Sequence, residues 1–253
     1  MSVVQAGSCV TVVTVTRNNA RGLRSTLDSL ALLQRPPLEV CVIDGASEDD
    51  TPDVVAAYRD RLPLVFVSEP DGGIYDAMNK GRRRARGELI HYLNAGDTVF
   101  GEPYADLRSP ALLPVRMVDE GGRVVFDDVV KHAGYGYCHQ GIVFPRTHPP
   151  YRSQFRLAAD FDAIVATFPQ GLQHLERHGG GGVRYLLGGV SSQRRPALDK
   201  ELRQIAREHL PALTALKVQA ALWIKSLVPR PLRRALATRA ARWLEVRRPP
   251  ERP

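Results

Sequence analysis

Three carboxylates on separated segments carry the chemistry this chain can do. Asp97 closes the run Glu88-Leu89-Ile90-His91-Tyr92-Leu93-Asn94-Ala95-Gly96-Asp97, an apolar strand that enters a tight polar turn. Asp44 closes Val40-Cys41-Val42-Ile43-Asp44, a second apolar strand ending in an acid. Farther along, Ala159-Asp160-Phe161-Asp162 supplies a third acidic cluster. Open α/β sheets gather their ligands in the crevice at the carboxyl ends of their strands. Acids delivered there from three segments predict one site that handles a metal ion, a nucleotide and a proton.

The elements that must position them follow from periodicity. Val10 to Val15 is a β-branched run and reads as a buried strand. The polar turn Thr16-Arg17-Asn18-Asn19 follows, and Leu23, Leu27 and Leu30 then recur at helical spacing. Leu38 to Ile43 reads as a second strand, with Thr51-Pro52 opening the next helix, proline in its favoured first position. Leu64 to Val67 is a third strand, Ile74 to Arg86 a helix, and Glu88 to Leu93 a fourth strand. Alternation with short connections predicts a mostly parallel, doubly wound sheet with helices on both faces. Beyond Phe100 the pattern weakens. Arg123 to Phe126 and Tyr135 to Phe144 read as strands, Phe155 to Phe168 as a helix, and Gly179 to Gly182 as a flexible break.

The bulk numbers bound the function. With 253 residues, 43% of them hydrophobic, the chain can bury one sizeable α/β core and carry an appendage. Its net charge is +8, and the segment from Lys217 to Pro253 holds ten Lys or Arg against two Glu, a surplus of eight. Residues 1 to 216 therefore sum to about zero. That balance disfavours a nucleic-acid binder and predicts a basic C-terminal device. Leu213, Leu216, Ala220, Trp223 and Leu227 mark one apolar helix face there, and Leu232, Leu236, Ala240 and Trp243 a second. Such helices suit an anionic membrane surface, with Trp at the interface and Lys or Arg at the headgroups. The domain boundary expected from this is 1 to 210 for the α/β unit, split into halves 8 to 97 and 98 to 210, and 211 to 253 for the tail. Cys9, Cys41 and Cys138 are sparse and unpaired in spacing, which excludes a zinc quartet and predicts a reducing compartment. No signal peptide is read in the first residues, and no apolar run approaches the roughly 20 residues a membrane-spanning helix needs.

The turn after the first strand carries neither Gly-x-Gly-x-x-Gly nor Gly-Lys-Ser or Gly-Lys-Thr, which disfavours a dinucleotide-binding dehydrogenase and a P-loop enzyme. What the chain does carry is an ordered set of strings. Val12 to Asn19, Val42-Ile43-Asp44-Gly45-Ala46-Ser47, Ser68 to Gly81 and Asn94-Ala95-Gly96-Asp97 come first. His139-Gln140, Ala159 to Asp162 and Gly188 to Ser192 follow in the same order. Together these resemble the family 2 glycosyltransferases, in the branch of colanic-acid and exopolysaccharide biosynthesis, over roughly residues 10 to 193. The tail lies outside the resemblance.

The resemblance implies a GT-A fold, a nucleotide-sugar donor and inversion at the anomeric carbon. It implies that Asp44 contacts the base, that Thr16 and Arg17 line the nucleoside, and that Asn19, Ser47, Asp71, Asn79, Lys80, Asn94, Ala95 and Gly96 border the donor. Asp97 matches the last acid of the family's metal motif, which would hold Mg²⁺ or Mn²⁺. Asn94 and Gly96 stand where many relatives carry further acids. Asp160 matches the catalytic base, with Asp162 as the alternative and Ala159 where many relatives carry Glu. His139 is a candidate for the acceptor side or the metal, and Gln140 for the acceptor side. The implied activity is sugar transfer to a hydroxyl of a glycan or lipid-linked glycan, on the cytoplasmic face of the plasma membrane. Two rival readings are a noncatalytic nucleotide-sugar or glycan scaffold, motivated by the thinned acids, and a sugar nucleotidyltransferase.

Overall fold

The computed structural model describes residues 8–127, 136–187 and 195–216. Strands β1 (Val10–Thr16), β2 (Glu39–Asp44), β3 (Leu64–Ser68) and β4 (Leu89–Tyr92) alternate with helices α1 (Ala20–Ala31), α2 (Thr51–Ala56) and α3 (Ile74–Arg84). The chain continues through β5 (Thr98–Gly101), β6 (Ala111–Leu112), β7 (Val115–Val118) and β8 (Val124–Asp127). It ends with β9 (Ile142–Pro145), α4 (Ala159–Thr167), β10 (Glu176–Arg177), β11 (Gly181–Leu186) and α5 (Arg195–His209).

Seven strands form the central sheet in the order β10-β6-β9-β4-β1-β2-β3. Strands β1 to β4 run parallel, and β9 runs antiparallel between β4 and β6. Four strands form a second sheet, β5-β11-β7-β8. Strands β1 and β2 are buried along their whole length, and their side chains alternate between two apolar layers. Val10, Val12, Val40 and Val42 face Leu23, Leu27 and Leu30 of α1 and Val54 and Val55 of α2. Val13, Val15, Cys41 and Ile43 face Ala77 and Met78 of α3, Ala163 and Ile164 of α4, and Ile205 of α5. The expected sheet with helices on both faces is thus present. α3 lies close on the sheet because Gly81 leaves room: a Cβ there would stand 2.3 Å from Val13 Cγ1.

Four expectations are corrected. The helix expected from Phe155 starts only at Ala159, because the backbone N–H groups of Arg156, Leu157 and Ala158 donate to Glu201 on α5 instead. The strand expected to end at Phe144 is, over His139–Gly141, a 3₁₀ turn ahead of β9. Gly141 is wedged there, and a Cβ would meet Val115 Cγ2 at 2.3 Å. Gly181 and Gly182 are not a flexible break but open β11, buried between β5 and β7. A Cβ on Gly181 would stand 2.3 Å from Phe100 O, so this close pairing requires glycine. Finally, β5, β6 and β7 fill the stretch where no pattern was legible.

The core runs on through Leu210 to Ala215. Residues 212–216 are helical, and the rest of the predicted amphipathic tail lies outside the described residues. Among the described residues no helix is long and apolar enough to cross a membrane.

Candidate active site

The parallel register brings Thr16, Asp44 and Ser68 level at the carboxyl edge of the sheet. The turn after β4 joins them, since Leu93 N–H and Ala95 N–H donate to Val13 O and Val15 O of β1. Loops after β1 and β2 lock together. Asn18 N–H donates to Ser47 Oγ at 2.7 Å, and Glu48 N–H to Asn18 Oδ1 at 2.9 Å. Asn18 and Ala46 both sit in left-handed backbone, at φ 48° and 56°. For alanine this costs roughly 1–2 kcal/mol, and such outliers gather where a loop is shaped for a ligand. Asn19 caps α1 through Gly22 N–H and donates from Nδ2 to Ala95 O, tying this loop to the Asp97 turn.

Asp44 is fully buried, and its carboxylate accepts from Ser47 N–H at 3.0 Å, from Ser47 Oγ and from Ser68 Oγ at 2.6 Å. It thereby shapes the Gly45-Ala46-Ser47 turn. Above it, the space over Gly45 is flanked by Asp71 Oδ2 and Arg17 Cδ, and Arg17 is exposed. Thr16 is buried, and its Oγ1 finds no partner.

Lys80 is buried, with Nζ donating to Pro70 O at 2.6 Å beside Glu69 and Asp76, so it holds the loop ahead of α3. Asn79 donates to Tyr151 O at 2.8 Å and accepts Tyr151 N–H at 2.9 Å, which pins the segment ahead of α4 to α3. Asp71 accepts Gly73 N–H at 2.9 Å and shapes the glycine turn that opens α3.

Asp97 is 5% exposed, and Oδ1 accepts Leu186 N–H of β11 at 2.9 Å. Burial pushes its carboxyl up to about 7, opposed by that hydrogen bond. In the same turn Asn94 Oδ1 is buried without a partner, and Gly96 takes φ 109°. No group of three or more His, Cys, Asp or Glu that could hold a metal ion occurs among the described residues. A carboxylate plus an orphaned amide oxygen is nonetheless a hard donor set. It fits Mg²⁺ or Mn²⁺, which bind through one or two protein oxygens and complete their shell with phosphate and water.

Asp160 sits in the first turn of α4, where Oδ1 accepts Phe161 N–H at 2.7 Å. Burial raises its carboxyl, the Phe161 N–H and the Tyr75 hydroxyl lower it, and the Glu201 charge raises it. Asp162 points elsewhere: it is buried in an ion pair with Arg152 and lies 3.0 Å from His209 Nε2. Its carboxylate joins α4 to α5 through His209 and, through Arg152, Glu208. Burial raises the Tyr185 hydroxyl of β11 to about 12, with added contributions from the charges of Cys138, Asp97 and Asp160.

His139 is buried among Tyr92, Phe144 and Tyr151, with Nε2 2.8 Å from the Tyr151 hydroxyl. Burial and the fields of His148 and His91 hold it down at about 3. It is a neutral imidazole packed among aromatic rings. Gln140 is buried too, and its carbonyl accepts from His91 Nε2 at 2.7 Å, so that nitrogen bears the proton and the Tyr104 hydroxyl donates to Nδ1. Tyr75, Tyr151, Tyr185, Glu201 and His91 went unnoticed in the sequence. Of these, only Tyr75 lies inside a recognised string. A cavity of about 220 Å³ lined by Leu112, Pro114, Val115, Arg116, Asp127, Tyr137 and Arg177 contains none of the three acids.

Residues 11–107 match the family model described as glycosyl transferase family 2. The PGL/p-HBAD biosynthesis glycosyltransferase of Mycobacterium tuberculosis is 28% identical over 185 residues, covering 64% of this chain and 71% of that protein. Among solved structures, S. aureus TarS in complex with UDP-GlcNAc aligns with a TM-score of 0.65 at 17% identity, over 85% of this chain and 71% of that one. The mannosyltransferase PcManGT from Pyrobaculum calidifontis, in complex with GDP-Man and Mn²⁺, aligns with a TM-score of 0.54 at 19% identity, over 94% and 81%. The α/β architecture with its mostly parallel sheet is that of these GT-A-type neighbours. The match over residues 11–107 and the glycosyltransferase relatives identify the protein as a glycosyltransferase.

Proposed function

We propose that the protein is an inverting glycosyltransferase that moves a sugar from a nucleotide-diphosphate sugar to a hydroxyl of a glycan or lipid-linked glycan. Its place is the assembly of a surface polysaccharide or exopolysaccharide, at the cytoplasmic face of the plasma membrane. The observation that carries this is the pair of buried, raised carboxyls that the fold builds, Asp97 in the turn after β4 and Asp160 in the first turn of α4. Solved neighbours crystallised with UDP-GlcNAc, or with GDP-Man and Mn²⁺, support the donor class and a divalent metal.

The Asn18 and Ser47 loops form the nucleoside wall, with Arg17 exposed above Gly45. Asp97, with Asn94 Oδ1, would hold Mg²⁺ or Mn²⁺, which supplies Lewis-acid stabilisation of the leaving diphosphate. Asp160 accepts the proton of the acceptor hydroxyl as that oxygen bonds to the anomeric carbon and the bond to the diphosphate breaks. A carboxyl raised by burial is a better proton acceptor than a solvated one, because its affinity lies nearer the working pH. The opposite approach of nucleophile and leaving group inverts the centre.

Replacing Asp160 with Asn tests this on a panel of UDP- and GDP-sugars with Mn²⁺. Binding is read by thermal shift and turnover by release of nucleoside diphosphate. Transfer should vanish while donor binding stays near the wild-type level. A fully active Asp160→Asn variant removes Asp160 from the role of base.

A further inference from the structure

The backbone just ahead of Asp160 is held by a residue forty positions downstream. Glu201 Oε1 accepts Arg156 N–H at 3.1 Å, and Oε2 accepts Leu157 N–H and Ala158 N–H, both at 2.9 Å. Ala158 is the N-cap of α4 and has no side-chain acceptor to offer. A helix start normally finds one in its own Ser, Thr, Asp or Asn, with a Glu three residues on reaching back to the N-cap N–H. Here α5 supplies the carboxylate from outside. Three charge-assisted bonds on consecutive N–H groups fix the direction in which the chain enters α4, and Asp160 is its second residue.

On the opposite side, Tyr75 in the first turn of α3 places its hydroxyl against both the backbone and the carboxyl of Asp160. Its ring stacks on Tyr151, with centroids 5.6 Å apart and planes at 24°. Tyr151 is in turn bound through its backbone to Asn79 of α3. The titratable groups that act on Asp160, or on which it acts, are therefore Tyr75 from α3, Tyr151 from the loop before α4, Tyr185 from β11 and Glu201 from α5.

We propose that Glu201 is a positioning residue for Asp160, clamping the entry to α4 so that the carboxylate faces the acceptor hydroxyl, with the Tyr75 hydroxyl bearing on it from the other wall. This rests on the reading of Asp160 as base. The two partners act with opposite sign. Glu201 is negative and opposes ionisation of Asp160, while the Tyr75 hydroxyl donates and favours it. A residue that merely holds the fold together would not produce opposite signs.

The test titrates Asp160 by carboxyl-carbon NMR in the full chain, its signal assigned by its loss in Asp160→Asn. The midpoint should fall in Glu201→Gln, which keeps an acceptor but loses the charge, and rise in Tyr75→Phe. Glu201→Ala, which also loses the clamp, should lower kcat at least ~10-fold on the sugar nucleotide of the panel above that is turned over fastest, with donor KM unchanged. Unmoved midpoints, or midpoints that move together, overturn the inference, and Glu201→Gln supplies that answer even if Glu201→Ala does not fold. An active Asp160→Asn variant combined with opposite shifts would instead show that the base assignment failed and that the clamp has no catalytic purpose.

Discussion

Acid should weaken this fold through its buried imidazoles, and the slope can be worked from the structure. His91 and His148 are held down at about 4 and His139 at about 3, each chiefly by burial. An unfolded histidine titrates near 6.5. Each of the three therefore takes up a proton when the chain unfolds below that pH. Their stabilisation is complete above about 6.5 and is lost as the pH falls toward the folded values. Asp97, raised to about 7, acts in reverse, because unfolding near pH 5 releases its proton. Three protons taken up against that one leave a net uptake of about two. Stability should then fall by ~2.7 kcal/mol per pH unit between pH 6 and 5. Urea unfolding in metal-free buffer at half-unit pH steps measures that slope. Asp97→Asn cancels one released proton and should steepen it by ~1.4 kcal/mol per unit. A flat profile over this window, or a variant profile parallel to the wild type, refutes the assignment of these protons.

Packing and membrane contact give three more tests. Gly81→Ala should cost ~1–3 kcal/mol in urea unfolding, because the new methyl meets Val13 Cγ1 between α3 and β1; a neutral effect would mean that α3 moves freely on the sheet. Asn79→Ala strands the N–H and C=O of the buried Tyr151 and should cost ~1–3 kcal/mol. It should also slow transfer more than it weakens donor binding, and an equal loss of both would mean that the tie from Asn79 to Tyr151 does not act through Asp160. Deleting residues 217–253 should release the protein from anionic liposomes, and salt should do the same by screening; retention after both treatments would locate the anchor elsewhere.

What was legible in the sequence was whatever repeats locally. The run Val10 to Val15 and the spacing of Leu23, Leu27 and Leu30 revealed β1 and α1 because a buried strand and an amphipathic helix each imprint a period on the chain. Short strands such as Ala111–Leu112 imprint none. α5 could have been found, since Leu198, Leu202, Ile205 and Ala206 keep helical spacing, but its Glu201 could not, because its partners lie 43 to 45 residues away. The same limit holds at the site. Asp44, Asn79, Lys80 and Asp162 are legible as polar residues in ordered strings, yet nothing local shows the hydrogen bonds by which each ties two elements together. The positions of Asp97 and Asp160 are legible because a strand end and a helix start are themselves local signals.

The antiparallel β9, set between β4 and β6, divides the molecule's inheritance in two. Every strand on the β1 side of β4 comes from residues 10–68, within or beside the stretch that matches the family model, while the opposite side is assembled from residues 111–177. In the central sheet the two portions meet along one backbone ladder, Leu89 to His91 against Val143 to Pro145, and in the second sheet β5 pairs with β11. Main-chain pairing of that kind tolerates exchange of the side chains around it. Recombining the later portion with that of a distant relative, with the ladder kept in register, is thus a route to new acceptors for an unchanged donor.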